Sequence, residues 1–231
     1  VAVRLSYVAG AKKVEWRKIA PAPVILVFGP EQYFASSAIR RVRESLRKAN
    51  PDLELHEVEA NDYGSNQIFA IASPSLFSQP RLIIIDAMER CTDAFIEDGK
   101  KYLQNIAEDT TLIIRHNGSS VRGKALLDVL RASDLVVEVE CPKTDKEGPL
   151  TAFAKAEFAE RNRKVTDGAI RALVNAFFND ISELANACEQ VMADTAEQID
   201  EALVDRYFGG RVETNVWAII DAALDVERGT P

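Results

Sequence analysis

The sequence predicts an α/β domain built on a parallel sheet flanked by helices, followed by a small all-α domain. Apolar runs of β-prone residues recur through the first part of the chain, and segments with a helical spacing of apolar residues separate them. A charged stretch between two prolines, residues 142–149, then interrupts the pattern, and only helical spacing follows it. Strands that alternate with helices are typical of βαβ crossovers, which place helices on both faces of a parallel sheet.

Five segments are predicted to be strands. Val24 to Phe28 is a continuous apolar run that ends at Gly29-Pro30, as expected of a strand buried on both faces. Residues 53–58 alternate between apolar and polar side chains and predict a strand with one solvated face. The remaining predicted strands are residues 81–86, 110–115 and 135–139.

Helices are predicted between these strands. The first starts from Ser36 or Ser37, either of which can act as the N-cap, and it stops at Asn50-Pro51. Its apolar positions share one face, and Arg40, Arg43 and Arg47 fall on the other. The other helices predicted in this domain are Asp62 to Ala72, Phe95 to Ala107 and Lys124 to Ala132.

The pattern divides the chain into two domains and part of a third. We expect an α/β domain over residues 1–142, a linker over 143–149 and a helical bundle over 150–208. Residues 209–231 contain one more predicted helix, 215–226, whose apolar face has no later partner in the sequence. The predicted helices of the bundle are residues 150–161, 169–178, 184–192 and 197–207.

Composition excludes several classes of protein. Of the 231 residues 47% are hydrophobic, but the apolar runs at 24–28 and 82–85 are short, whereas a membrane span needs about 18 such residues. We therefore expect no membrane association. Cys91, Cys141 and Cys188 are an odd number at wide spacings. That pattern fits neither a disulfide framework nor a zinc site and indicates the reducing cytoplasm.

Charge is unevenly distributed along the chain. The formal net charge is −8, yet residues 1–50 hold ten basic and three acidic side chains. A basic segment on an acidic body predicts contact with nucleic acid or with an acidic partner, or simply a solvated helix face. Charge alone does not decide between these interpretations.

The turn after the first predicted strand occupies the place of a phosphate-binding loop but lacks its chemistry. Counted from Gly29 against the pattern G-x-x-x-x-G-K-[ST], the second glycine is replaced by Phe34 and the lysine by Ala35. Only Ser36 matches the pattern. A ring at the second glycine position obstructs the backbone amides that would close on phosphate oxygens, and alanine supplies no cation. We therefore expect an ordinary turn and no nucleotide hydrolysis.

Other candidates for catalysis are weak. Asp86 ends a predicted strand where a magnesium ligand would be expected, but Ala87 follows it where a second acid would orient water. His56 and His116 lie outside any Cys-rich or Asp-rich cluster, and we expect both at the surface. The sequence predicts no catalytic, cofactor-binding or metal-binding residue.

One apolar pair lies in a polar setting. Leu76-Phe77 has Ser73-Pro74-Ser75 before it and Ser78-Gln79-Pro80 after it, in a stretch where loop residues are usually polar. Burial of two such side chains in a partner's pocket would contribute about 1.5–3 kcal/mol each. The alternative is that the pair folds back onto the sheet of its own domain.

The order of these parts resembles one protein family. Residues 24–31 are followed by Pro74-Ser75-Leu76-Phe77, by the strands at 81–85 and 111–115, and by Ile181-Ser182-Glu183-Leu184-Ala185. This order resembles the delta subunit of the bacterial DNA polymerase III clamp loader over essentially the whole chain. The resemblance implies an AAA+ fold for the first domain and a helical lid for the second. It also implies a third, collar domain, of which this chain holds the first helix.

The resemblance further implies a function and a site. Delta subunits are similar in fold to the ATP-using loader subunits but do not bind ATP, which agrees with the degenerate phosphate loop. Their Leu-Phe pair inserts into a hydrophobic pocket of the ring-shaped sliding clamp and promotes opening of the ring. Carried over by position, the clamp-binding residues are Ser75, Leu76 and Phe77. Ala72 stands where the family often has a glutamine.

The same resemblance implies partners and a location. We expect a cytoplasmic accessory subunit of a DNA polymerase holoenzyme, without ATPase activity and without cofactors. Its expected partners are the sliding clamp (beta subunit), the delta prime and gamma/tau loader subunits, and primed DNA. The lid of an ATP-using relative would present an arginine near residues 179–183, and this sequence has none there.

Two other functions stay open from the sequence. One is an active P-loop-like nucleotide hydrolase with an unusual loop. The other is a DNA-binding module that uses the basic helix over residues 39–48. In that helix Arg40, Arg43 and Arg47 would contact DNA or another loader subunit.

Overall fold

The computed structural model describes residues 10–73, 79–195 and 197–210. The chain divides into two compact units between Lys143 and Thr144. No helix within the described ranges is both long enough and apolar enough to cross a membrane. The predicted clamp-binding residues Ser75, Leu76 and Phe77 lie outside the described residues, and so does the helix predicted at 215–226.

The described part of the first unit contains six parallel strands. In chain order they are β1 (Lys12–Val14), β2 (Val24–Phe28), β3 (Glu54–Glu59), β4 (Arg81–Asp86), β5 (Thr110–His116) and β6 (Val136–Glu140). Their order across the sheet is β1-β6-β2-β5-β4-β3, and every neighbouring pair is parallel. The sheet, its flanking helices and the helical unit that follows confirm the predicted fold class.

Burial on both faces explains why the central strands are continuous apolar runs. Residues 24–27 of β2 are at most 1% exposed, and all seven residues of β5 are buried. β3 has only one neighbouring strand, so Glu57 and Glu59 stay exposed, as its alternating sequence predicts. The edge strand β1 escaped prediction because three residues with a single apolar side chain carry no pattern. It forms by pairing with β6.

The α-helices described in this unit are α1 (Gln32–Ala49), α2 (Gln67–Ile71), α3 (Asp93–Tyr102) and α4 (Lys124–Ala132). α1 starts earlier than the serines suggest, because the Glu31 side chain accepts a hydrogen bond from the backbone N–H of Tyr33 and forms the cap. α3 also starts early, because Thr92 accepts a hydrogen bond from the N–H of Phe95. α4 has the predicted bounds.

α2 is much shorter than the predicted helix from Asp62 to Ala72. The cause is Tyr63, which is buried and donates its hydroxyl proton to Asp98 at 3.2 Å. The same hydroxyl oxygen accepts a hydrogen bond from the N–H of Ile68 at 2.8 Å, so the tyrosine takes the place of a cap. Asn66, which also donates to Asp98, is left-handed, and the helix begins only after it.

The second unit is a small helical bundle. It contains α5 (Glu147–Glu160), α6 (Asp167–Ala176), α7 (Ile181–Asp194) and further helical residues at 201–210. Thr166 caps α6 by accepting from the N–H of Ala169, and Asp180 caps α7 by accepting from the N–H groups of Ser182 and Glu183. α5 begins at Glu147 rather than at Leu150, so its first turn lies inside the stretch predicted to be a linker. The core of the bundle is formed by apolar residues that include Phe153, Phe158, Leu173, Leu184 and Val191.

Candidate functional site

The carboxyl ends of β2, β4 and β5 meet at one edge of the sheet. In the strand register Phe28 lies opposite His116, and Ile85 lies opposite Ile114, so the residues that follow them share this edge. Ligands of parallel α/β domains usually bind at such an edge. The side chains found there determine whether a nucleotide could bind.

Gly29 is required by packing at the end of β2. Its φ is 133°, and a Cβ atom at this position would lie 2.2 Å from the carbonyl oxygen of Cys141. Two hydrogen bonds hold the segments together: Cys141 N–H donates to the Phe28 carbonyl at 2.7 Å, and Glu31 N–H donates to the Cys141 carbonyl at 3.1 Å. The lack of a side chain at Gly29 therefore allows the backbone at Cys141, just after β6, to pack closely against it.

The amino end of α1 is unsuited to phosphate. Its cap is the Glu31 carboxylate, which accepts a hydrogen bond from the backbone N–H of Tyr33 at 3.3 Å. A negative group already occupies the amide that an anion would need, and it would repel a second one. Phe34 and Ala35 are both buried, so the positions of the missing glycine and lysine point into packed protein.

An aromatic cluster packs against this turn. The Phe34 ring stacks on Trp16 with 5.5 Å between centroids, and Tyr33 meets the same indole edge-on at 6.0 Å. Trp16 belongs to a single 3₁₀ turn, Trp16–Lys18, that precedes β2, and it is buried. The sequence alone indicates no role for Trp16, because a single tryptophan 13 residues before Gly29 carries no signal of what it packs against.

An arginine neutralises the acid at the end of β4. Arg115 Nη1 lies 3.2 Å from Asp86 Oδ1, and the other terminal nitrogen of Arg115 donates to the side-chain oxygen of Gln32. The same Asp86 oxygen accepts a hydrogen bond from the N–H of Ala87 at 2.7 Å. The Arg115 side chain is only 9% exposed. An internal guanidinium thus supplies the positive charge that a cation would bring to Asp86 in a nucleotide site.

The signal for this contact was present in the sequence. Arg115 closes an apolar strand, as Asp86 does, and neighbouring parallel strands end at the same edge. The order of the strands in the sheet was needed to place the two residues together. Among the residues that the structure describes, no group of three or more His, Cys, Asp or Glu side chains could hold a metal ion.

His116 is buried, so the expectation that it lies at the surface was wrong. Its Nδ1 accepts a hydrogen bond from the Gly118 N–H at 2.9 Å, and its Nε2 lies 3.3 Å from the Arg122 carbonyl oxygen. The ring also packs on Phe28 with 5.3 Å between centroids. These contacts connect His116 to the turn that follows β5. His56 is half-buried on the edge strand β3.

The basic face of α1 is present as predicted from its spacing. Arg40 and Arg47 are exposed and Arg43 is half-buried. None of the three makes a hydrogen bond or ion pair with another residue in the described part of the chain. Arg40 and Arg43 line an open groove of about 320 Å³ together with Glu57 and Glu59. Which partner these arginines contact stays a prediction.

Arg81 and Glu54 contact the described residues on either side of 74–78, the stretch that contains the predicted clamp-binding residues. Arg81 Nη1 donates to the carbonyl oxygen of Ser73 at 2.5 Å, and Arg81 Nε donates to Glu54 Oε2 at 2.9 Å. The backbone N–H of Glu54 donates to the carbonyl oxygen of Pro80 at 3.0 Å. Neither residue stands out in the sequence, because each is an ordinary charged residue at the start of a strand.

All three cysteines are buried free thiols. Burial raises the pKa of Cys141 and of Cys188 to about 12 each, and it raises the pKa of Cys91 as well. Thiols that resist ionisation are poor nucleophiles and poor metal ligands. None of them is a candidate for chemistry.

Comparisons with known proteins point to one family. Residues 26–140 match the family model described as DNA polymerase III, delta subunit. The Bacillus subtilis DNA clamp loader delta protein (YqeN) has a similar structure, with a TM-score of 0.62 at 16% sequence identity over 81% of this chain. This chain covers 58% of that protein, and the likeness at this identity shows the fold. The Thermotoga maritima RuvB Holliday junction branch migration motor matches at a TM-score of 0.42 and 15% identity, over 79% of this chain and 59% of that one. No curated protein sequence matches.

Proposed function

Because this chain belongs to the DNA polymerase III delta subunit family, we propose that it is a non-catalytic clamp-loader subunit. In this role it binds the sliding clamp of the replicative polymerase and opens the ring, so that the ring can be loaded on primed DNA. The Leu76 and Phe77 side chains form the plug that enters the clamp, and Ser75 lies beside them.

Arg115 is the observation that carries the non-catalytic part of the proposal. A nucleotide with Mg²⁺ would need the Asp86 carboxylate, yet that carboxylate is already paired with the buried Arg115 guanidinium at 3.2 Å. The phosphates would need free amides at the start of α1, where the Glu31 carboxylate accepts instead. The absence of a lysine at position 35 is thus accompanied by two contacts that oppose nucleotide binding.

Calorimetric titration with ATP and Mg²⁺ tests this part directly. We expect no saturable heat from this chain at nucleotide concentrations up to the millimolar range, with an ATP-using loader subunit as the positive control. Binding in the micromolar range would overturn the non-catalytic assignment and favour the alternative, an active P-loop-like nucleotide hydrolase.

Clamp binding is supported by where the apolar pair lies in the chain. Leu76 and Phe77 stand between two described anchor points, Ser73 and Pro80, in a segment that is otherwise Ser, Pro and Gln. Insertion of both side chains into an apolar pocket would contribute about 1.5–3 kcal/mol each. Removing both should therefore cost most of the affinity.

The experiment is a measurement of clamp affinity for the full 231-residue chain and for its Leu76→Ala, Phe77→Ala double variant. We expect the double variant to bind at least about a hundredfold more weakly. The matched control is Val121→Ala with Leu135→Ala, which removes two exposed apolar side chains elsewhere in the same unit. Equal affinity of the plug variant and wild type would show that the site lies elsewhere.

The basic face of α1 supports a second candidate role, contact with DNA or with another loader subunit. Arg40, Arg43 and Arg47 have no described ion-pair partner, so their charges are available to a binding partner. Phosphate contacts release counterions and make the affinity fall steeply with salt. A protein surface would show a weaker dependence on salt.

A gel-shift series at increasing salt distinguishes the two partners. For DNA contact, replacing the three arginines by glutamine should reduce the log-log salt slope by about three. The charge-matched control replaces Lys100, Lys101 and Lys124 by glutamine, and it should leave the slope unchanged. If the arginine variant binds DNA as wild type does, the face does not bind DNA.

The remaining partners follow from the family. We propose that the chain assembles with the delta prime and gamma/tau subunits and acts on primed DNA within that complex. Its cellular location would be the cytoplasm, which suits three buried thiols that form no disulfide.

A further inference from the structure

Arg81 and Glu54 hold the chain at both ends of residues 74–79. The two residues face each other in the register of β4 and β3. The Arg81 guanidinium donates both to Glu54 and to the carbonyl oxygen of Ser73, which precedes the segment. The N–H of Glu54 donates to the carbonyl oxygen of Pro80, which follows it. The Arg81 side chain thus holds the residue that precedes the six-residue connection, and the backbone of its partner Glu54 holds the residue that follows it.

Arg81 is buried, and it therefore needs acceptors within the protein for its side-chain donors. Its side chain is 8% exposed, and its backbone N–H is also bonded, to the carbonyl oxygen of Asp109 at 2.8 Å. A buried guanidinium must satisfy its donors within the protein, because an unpaired buried charge costs several kcal/mol. Ser73 and Glu54 are the acceptors that the structure provides for it. The position of the Ser73 carbonyl is therefore determined by Arg81.

We infer that Arg81, oriented by Glu54, is a positioning residue for clamp binding: it fixes the base of the segment that presents Leu76 and Phe77. This inference rests on the proposed clamp binding through those two residues. In general, a binding segment loses less conformational entropy on docking when the residues that flank it are already held in place than when they are free to move. Clamp affinity should thus depend on a residue that does not itself enter the pocket.

The test compares clamp affinity and stability in two chemically matched variants of the full chain. Arg122 also bridges a backbone carbonyl and a carboxylate, through Cys91 at 2.8 Å and Asp93 at 2.7 Å, and these partners include neither Ser73 nor Glu54. We expect Arg81→Met to weaken clamp binding about tenfold, at a temperature where circular dichroism shows it folded. Arg122→Met should bind the clamp as wild type does, even if it lowers the melting temperature as much.

A third measurement separates this inference from the proposed function. In a Phe77→Ala background, where clamp binding through the plug is already weakened, Arg81→Met should reduce the clamp affinity by much less than a further tenfold. If Arg81→Met binds as wild type does while the Leu76, Phe77 double variant loses binding, the positioning role is wrong and the proposed function stands. If the double variant binds as wild type does, the proposed function fails first.

Should Arg81→Met not fold, Arg81→Lys takes its place. A single ammonium at the end of a lysine cannot donate along both directions of the guanidinium, so the Ser73 contact or the Glu54 contact is lost. An affinity within about twofold of wild type for this folded variant would overturn the inference. A loss of clamp affinity without loss of the folded signal would support it.

Discussion

Nη1 of Arg115 lies 3.2 Å from Oδ1 of Asp86, at the sheet edge where the ligands of parallel α/β domains usually bind. The two partners differ in environment, because the Arg115 side chain is 9% exposed whereas that of Asp86 is 42% exposed. The buried charge of Arg115 therefore needs Asp86 as its counter-charge, whereas water can solvate the more exposed charge of Asp86. Loss of either partner should reveal that asymmetry.

Asp86→Ala should destabilise the first unit more than Arg115→Met does. The first variant leaves a buried guanidinium without its counter-charge, at a cost of about 3 kcal/mol, whereas the second leaves a carboxylate that water can reach. The double variant should be more stable than Asp86→Ala alone. Urea unfolding followed by Trp16 fluorescence in a Trp217→Phe background reports on this unit, since the chain has two tryptophans. Equal losses in the two single variants would contradict the asymmetry.

Continuous apolar runs allowed the central strands to be predicted. β2 and β4 have the predicted bounds, because a strand buried on both faces leaves little room for polar residues. α4 was also predicted residue for residue, since its apolar stripe is uninterrupted. The fold class follows from these elements and their alternation.

Contacts between distant residues explain what the sequence did not predict. The predicted α2 began too early because Tyr63 bonds to Asp98, which is 35 residues away in the chain, and this contact keeps the residues before Gln67 out of the helix. Phe34 and Ala35 alone lead to the prediction that the turn after β2 does not bind phosphate, whereas the contacts of Arg115 could be found only from the strand order. Local patterns carry no information about which strands become neighbours.

Gly29→Ala should be strongly destabilising, although it adds only one methyl group. The new Cβ would lie 2.2 Å from the Cys141 carbonyl oxygen, which is backbone and has little freedom to move. The left-handed φ of 133° adds strain for any residue with a Cβ. We expect a loss above about 3 kcal/mol in urea unfolding.

Gly148→Ala is the control for that substitution. A Cβ at this position in the first turn of α5 would meet no atom within 4 Å. Alanine has the higher helix propensity, so stability should stay constant or rise by up to about 1 kcal/mol. If the two substitutions had similar effects, the close approach at Gly29 would not be the cause.

The three thiols should react only when the protein opens. Burial raises the pKa of Cys141 and Cys188 to about 12, so little thiolate exists in the folded chain at pH 8. A colorimetric thiol reagent should therefore label none of the cysteines rapidly in buffer and all three rapidly in urea. Val121→Cys, at a position 84% exposed, should add one fast equivalent. A fast equivalent in wild type would contradict the burial of one thiol.

The contact of Glu54 with Arg81 predicts how stability changes with pH. Arg81 holds the pKa of the Glu54 carboxyl below its ordinary value, chiefly through their hydrogen bond. A carboxyl whose pKa is lower in the folded than in the unfolded chain stabilises the fold above its unfolded pKa, and this contribution disappears as the pH falls through the folded pKa. The difference in stability between wild type and Glu54→Gln should thus be constant near neutral pH and shrink in acid. Urea midpoints measured from pH 7 to pH 3 test this expectation. His56 is a second group near this carboxylate, because its Nε2 lies 3.7 Å from Glu54 Oε2. Repeating the measurements in a His56→Gln background removes its contribution. A difference that grows as the pH falls would show that Glu54 is held in its protonated form instead.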